Sequence, residues 1–309
     1  MLSTRSVTER SGTVAAAGPE AVEYLRALRP QHWLKNALTF VPLLAAHQFF
    51  EPVLLGRTLV IFVAFCCCAS SGYLINDLCD LSADRRHPLK RLRPFASGRL
   101  PVGYAMAMAP ALAVAGCALA ARLSELSLAT LLLYLALTFA YSLSFKKMEL
   151  LDVLLLACLY TLRLVAGATA IALSPSIWLL AFSMFLFISL ALVKRYAELM
   201  TMRGVDGERA TARGYELGDA ALLAATGTAS GYVAVLVLAL YIASGAAEGL
   251  YSRHQLIWLV CPLLLYWVGY LWLNAHRGKM HHDPLVFTLH DGRSRGLLLL
   301  MLATAALAL

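Results

Sequence analysis

The chain has 309 residues, of which 60% are hydrophobic and only 14% charged. Water-soluble globular domains carry about 25% charged residues, so the composition excludes a soluble enzyme. Without the alternating ten-residue strands of a membrane barrel, it predicts an all-α polytopic membrane bundle. The net charge of +8 would suit a nucleic-acid partner, but its confinement to alternate loops between apolar runs excludes that class.

Residues 1–23 are polar and rich in Ala, Gly, Ser and Thr, without the apolar core of a signal peptide, and predict a disordered cytoplasmic tail. The remainder, 24–309, predicts one membrane domain of nine spans, at about 35–50, 54–76, 102–121, 126–144, 152–173, 176–193, 220–244, 255–275 and 296–309. The first and last are short for an untilted crossing of ~20 residues. Asp283 followed by Pro284 has the form of a cap and a first-turn proline, which would start the last helix earlier. The N-terminal segment and the loops after spans 2, 4, 6 and 8 hold 22 Lys and Arg, against Arg57, Arg122 and Arg253 on the other side. This asymmetry predicts a cytoplasmic N-terminus, an outer C-terminus, and chemistry at the cytoplasmic surface of a bacterial plasma membrane, under the long loops after spans 2 and 6. The seven cysteines have neither zinc-site nor disulfide spacing and are read as packing residues.

Span 2 ends in Asn76-Asp77-Leu78-Cys79-Asp80-Leu81-Ser82-Ala83-Asp84, followed by Arg85, Arg86, Lys90, Arg91 and Arg93. On a helix, Asn76, Asp80 and Asp84 recur every four residues, with Asp77 beside them on a broad face. Three carboxylates so close repel one another unless a cation lies among them. Hard oxygen ligands next to a basic run suit Mg²⁺ carrying a pyrophosphate. The plainer possibility is a solvated helix end whose aspartates pair with Arg85 and Arg86. Pro88 and Pro94 are expected to break the helix and put the basic run on a loop.

Span 4 ends at Tyr141, Lys146 and Lys147, and span 5 opens near Glu149 and Asp152. Arg163 falls mid-span, three turns after Asp152 on nearly the same face, so it requires a partner there or an anionic substrate group. Lys194, Arg195 and Glu198 follow span 6, with Lys194 and Glu198 spaced as a helix-surface pair. Before span 1, Trp33 has the character of a headgroup anchor, while Lys35 and Asn36 are candidates for phosphate binding. His276, His281, His282 and Asp283 lack fixed metal-ligand spacing and are a weak transition-metal signal.

Asn76-Asp77-x-x-Asp80-x-x-x-Asp84 at the end of a span, with Tyr141, Lys146 and Asp152 around the next membrane loop, resembles the UbiA superfamily of membrane prenyltransferases. The segments Arg29-Pro30-x-x-Trp33-x-Lys35-Asn36, His87-Pro88-x-Lys90-Arg91-x-Arg93-Pro94, Leu162-Arg163-x-x-Ala166-Gly167 and Lys194-Arg195-Tyr196-Ala197-Glu198 are similar to its decaprenyl-phosphate phosphoribosyltransferase branch. The resemblance implies Mg²⁺-dependent transfer of phosphoribosyl from a water-soluble pyrophosphate donor to a polyprenyl phosphate in the membrane, for arabinose donors of the cell envelope. It implies Asn76, Asp77, Asp80 and Asp84 as metal ligands, with Asp77, Asp80, Asp84, Lys146 and Asp152 catalytic. Lys35, Asn36, Lys90, Arg91, Arg93, Tyr141, Arg163, Lys194, Arg195 and Glu198 would bind substrate. Aromatic prenyltransferases resemble a pattern with a second aspartate-rich motif near span 5, where this chain has Asp152 and Leu156. A prenyl diphosphate donor with an aromatic acceptor is the second reading, and a transporter, with no inverted repeat to support it, the third.

Overall fold

The computed structural model describes residues 19–86, 90–202, 214–280 and 283–309. Most of the expected tail, the helix break at Pro88, the distal loop after span 6, and His281 and His282 lie outside these residues.

A helix α1, Pro19–Leu28, begins inside the stretch expected to be disordered. A 3₁₀-helix, Pro30–Phe40, leads into α2, Val41–Ala45. The long α3, Pro52–Cys79, starts on a first-turn proline and is followed by α4, Leu81–Arg86. Next come α5, Val102–Ala121, and α6, Glu125–Leu143, the latter capped by Ser124, whose hydroxyl accepts from the Ser127 amide. The core of the bundle is completed by α7, Leu151–Ala170, α8, Ile177–Met202, α9, Ala220–Ala243, and α10, Val260–His276. Two capped helices close the chain, α11, Pro284–His290, and α12, Gly292–Ala308.

Among the described residues, seven helical stretches are long and apolar enough to cross a membrane, so the protein is an integral membrane protein. The expected count of nine is not reached on that criterion. The first expected span is the 3₁₀-helix with α2, and the last falls on α12, which does not extend back to Pro284. Asp283 and Pro284 do begin a helix, as its sequence signal implied, but the helix stops at His290. Asp291 then caps α12 by accepting from the Ser294 amide. Lys194, Arg195 and Glu198, expected in a loop, lie on α8, which continues to Met202.

The outer faces carry exposed apolar side chains such as Leu59, Met106, Leu133, Leu236 and Leu299, as lipid contact requires. Inside, α7 is the most enclosed span, with 61% of its apolar window buried against 17% for α5. It packs against α6, α8 and the 3₁₀-helix, where Ala157, Ala166 and Ala168 allow close approach. The tightest approach is at Gly167, where any Cβ would collide with the Thr39 carbonyl of the 3₁₀-helix. That contact sets Asn36 beside Arg163.

Candidate active site

The charged ends of α3, α4, α6, α7 and α8 converge on a cavity of about 540 Å³. Of the residues selected from sequence, Lys35, Asn76, Asp80, Asp84, Lys90, Arg93, Tyr141, Lys146, Arg163 and Lys194 line it. Asn36 and Asp77 are buried behind the wall, Asp152, Arg195 and Glu198 form a separate cluster beside it, and Arg91 is exposed away from it.

The acidic stretch keeps its helical register although α3 ends at Cys79. The Asp80 amide donates to the Asn76 carbonyl at 2.9 Å and the Asp84 amide to that of Asp80 at 2.8 Å, so the four-residue spacing continues into α4. Asn76 Nδ2 donates to Asp80 Oδ2 at 3.1 Å, and Lys146 Nζ to Asp80 Oδ1 at 2.8 Å. Arg93 joins Asp84 Oδ2 at 2.6 Å to Asp77 Oδ1 at 3.4 Å, and Arg29 donates to that Asp77 oxygen at 2.5 Å. The basic partners of these aspartates are therefore Arg93, from the adjoining loop, and Arg29 and Lys146, from distant segments; Arg85 and Arg86 are exposed.

The donor set is all oxygen, which is right for Mg²⁺. Among the described residues, no three acidic, His or Cys side chains are grouped as a ready cage. Mg²⁺ keeps several waters and is usually held by one or two carboxylates together with substrate phosphates. Asp80 and Asp84, both open to the cavity, fit a metal of that kind, with Asn76 beside them.

The inner end of the cavity is polar. Arg163 Nε donates to Asn36 Oδ1 at 2.9 Å and Arg163 Nη2 to the Tyr134 hydroxyl at 3.0 Å, while Nη1 donates to the Leu159 carbonyl. The guanidinium lies 4.9 Å from the Tyr134 ring centre and 5.5 Å from that of Tyr160. No carboxylate among the described residues pairs with it, so Asp152, one of the two partners its spacing allowed, is not the one it takes.

Asp152 is instead fully buried, with both oxygens engaged. It accepts from Arg195 Nε at 2.5 Å and from the Tyr215 hydroxyl at 2.7 Å. Arg195 also donates to Glu198 at 2.5 Å and to the Tyr141 hydroxyl at 3.1 Å. Burial, reinforced by the bond to Asp152, raises the Tyr215 phenol above its ordinary range. The expected Lys194–Glu198 pair gives way to this Arg195–Glu198 pair. Lys194 turns to Asp283, whose Oδ2 accepts from it at 3.3 Å and from Lys35 at 2.6 Å. Burial opposes ionisation of Asp283, but Lys35 and Lys194 outweigh it and hold the carboxyl down to about 2.

Sequence reasoning gave no site role to Arg29, His32, Tyr73, Tyr134, Thr138 and Tyr160, all of which line the cavity. Helical spacing carried a signal for most of them. Tyr73 falls three and seven residues before Asn76 and Asp80, Tyr134 and Thr138 precede Tyr141 on one stripe, and Tyr160 is one turn from Arg163. His32 is pushed down to about 4, first by burial and then by Lys35 and Arg29, so it faces the cavity as a neutral imidazole.

Comparisons with known proteins agree with this architecture. The chain is 38% identical over 275 residues to nodulation protein NoeC of Azorhizobium caulinodans, covering 88% of each chain. It is 38% identical over 180 residues to the decaprenyl-phosphate phosphoribosyltransferase of Corynebacterium glutamicum, covering 57% of this chain and 54% of that one. Its fold matches that of a UbiA homolog from Archaeoglobus fulgidus bound to GPP and Mg²⁺, with a TM-score of 0.67 over 92% of this chain and 99% of that one, at 18% identity. Residues 37–291 match the model of the UbiA prenyltransferase family, and the chain belongs to that family.

Proposed function

We propose that this UbiA-family transferase moves 5-phosphoribosyl from phosphoribosyl pyrophosphate to a polyprenyl (decaprenyl) phosphate, releasing pyrophosphate, in the synthesis of cell-envelope precursors. The observation that carries the reading is the inner end of the cavity. A prenyl diphosphate needs an apolar slot beyond its diphosphate for the isoprenoid, whereas this cavity, beside Ala69, Gly72, Leu156 and Leu159, also presents Arg163, Tyr134, Tyr160, Tyr73 and Thr138. An arginine buried without a carboxylate costs several kcal/mol unless an anion completes it. A sugar phosphate supplies both the anion and the hydroxyls.

The charge balance supports the same donor. Arg29, Lys35, Lys90, Arg93, Lys146, Lys147, Arg163 and Lys194 line the cavity with Asp80 and Asp84, and Asp77 and Asp283 lie just behind. That surplus of positive charge suits two phosphate-bearing substrates together. Mg²⁺, when bound, would neutralise the donor pyrophosphate, with Asp80, Asp84 and Asn76 as the residues that can reach it and Asp77 holding Arg29 and Arg93 in place. Lys146, Arg93 and Lys90 face the leaving group and stabilise the charge it gains in a site already organised for it. The attacking phosphate oxygen is anionic at neutral pH, so the bond from the sugar C1 to the acceptor forms, the bond to pyrophosphate breaks, and no proton has to be removed. The Lys and Arg asymmetry supports a site at the cytoplasmic face of a bacterial plasma membrane.

The test incubates purified protein and Mg²⁺ with radiolabelled phosphoribosyl pyrophosphate and polyprenyl phosphate, and in parallel with a prenyl diphosphate and an aromatic acid. A labelled phosphoribosyl lipid is expected. Prenylated aromatic product in the second arm, with none in the first, overturns the proposal in favour of aromatic prenyl transfer.

A further inference from the structure

Asp283 has two jobs, one on each oxygen. Oδ1 accepts from the Leu285 amide at 3.3 Å and caps α11, while Oδ2 receives both Lys35 and Lys194. The carboxylate is well buried, and the two ammonium groups reach it from the wall of the substrate cavity. One unit of negative charge thus serves two units of positive charge in a poorly solvated place. The small pocket at this cluster is otherwise lined by Tyr160 and by the apolar Leu156, Leu190, Ala191, Pro284 and Leu285.

We propose that Asp283 is a place-holder for a substrate phosphate, and that a phosphate monoester carrying an apolar chain takes its place between Lys35 and Lys194. This rests on the lipid phosphate acceptor inferred above. A monoester dianion balances both lysines, which the carboxylate balances only in part. Three acceptor oxygens can also serve two ammonium groups from the cavity side, where Asp283 offers a single shared one. The apolar part of that lining favours a chain-bearing phosphate over a ribose phosphate. Lys35 and Lys194 then become the acceptor's headgroup site, distinct from the Lys146 and Arg93 wall that faces the leaving pyrophosphate, and Asp283 is a positioning residue that keeps the two lysines in place when no acceptor is bound.

The test is binding by calorimetry to the full-length protein in detergent, using farnesyl phosphate and ribose 5-phosphate as probes. Asp283→Asn and Asp283→Ser both keep a good helix cap while removing the charge, so two routes to a folded variant exist. Each is expected to unfold at a lower temperature than wild type without ligand, to recover with farnesyl phosphate, and to bind it at least about tenfold more tightly, because the built-in competitor is gone. Asp291→Asn makes the same charge change at the α12 cap and is expected to leave farnesyl phosphate affinity within about twofold of wild type. Unchanged or weaker farnesyl phosphate binding in both Asp283 variants overturns the proposal, and an equal gain for ribose 5-phosphate overturns the assignment to the lipid. Because binding is read without turnover, tighter farnesyl phosphate binding in a protein that makes no phosphoribosyl lipid supports the subsite and overturns only the donor. A working phosphoribosyltransferase with unchanged affinities in both variants does the reverse.

Discussion

Two acidic positions near the same cavity, Asp80 and Asp152, began with equal claims as catalytic residues and have different surroundings. Asp80 lines the cavity, and its partners Lys146 and Asn76 come from the same open wall. Asp152 has no exposed surface and is enclosed by Arg195 and Tyr215, so a metal or substrate could reach it only by breaking a buried ion pair. The lesson is that an aspartate's chemistry depends on whether its counter-charge faces solvent-filled space. Asp80 can exchange Lys146 for another cation. Asp152 holds Arg195, which in turn holds Tyr141 at the cavity wall.

The contrast can be broken first at its buried end. Asp152→Asn leaves Arg195 without its full counter-charge in the core and is expected to cost about 3–5 kcal/mol of stability. Thermal unfolding in detergent measures this, and an accompanying loss of activity should follow the loss of folded protein. If Asp152→Asn instead stays fully folded and inactive, Asp152 serves turnover rather than stability and the contrast collapses. Asp80→Ala should do the opposite, retaining the wild-type unfolding temperature within a few degrees while turnover falls about 10²–10³-fold, the usual effect of removing one preorganised charge-stabilising group. Asp84→Ala, which also strips a buried partner from Arg93, should lose turnover to the same degree with some loss of stability. Wild-type turnover in both would remove the acidic stretch from the mechanism.

Arg163→Gln keeps a donor at the cavity floor but loses the charge. A hydrogen bond to a charged group contributes about 1.5–3 kcal/mol, so kcat/KM for the phosphorylated donor should fall about tenfold to a hundredfold. A prenyl diphosphate donor would be indifferent to this change, and comparing the two substrates sharpens the assignment. The smallest effect belongs to His32. Its folded-state value of about 4 lies below the ordinary 6.5, so between these pH values the unfolded chain binds more protons than the folded one. Stability should therefore rise with pH across that window and lose part of the dependence in His32→Gln, as denaturation profiles at a series of pH values would reveal.

Much of this was legible because it is local. The motif from Asn76 to Asp84 needs only the helical repeat to be placed on one face, and the long spans needed only their apolar runs. What escaped was long-range. The three-turn spacing correctly put Asp152 and Arg163 on related faces of α7, but nothing within α7 indicates that Asn36, 127 residues earlier, takes Arg163, or that Arg195 takes Asp152. The plainer alternative for the acidic stretch, pairing with Arg85 and Arg86, fails for the same reason. Arg85 and Arg86 are adjacent in sequence, yet Arg29 and Lys146 arrive through packing of distant helices. The first span was missed as a plain α-helix because its 3₁₀ turn and its close seat on α7 depend on a neighbour.

The close seat at Gly167 reaches further than packing. Alanine there would press the 3₁₀-helix outward and draw Asn36 away from the Arg163 guanidinium, leaving a charge in a low-dielectric interior with one dipole fewer to steady it. The polarity of the cavity floor is thus set by the absence of a single methyl group, in a contact that touches neither substrate nor metal.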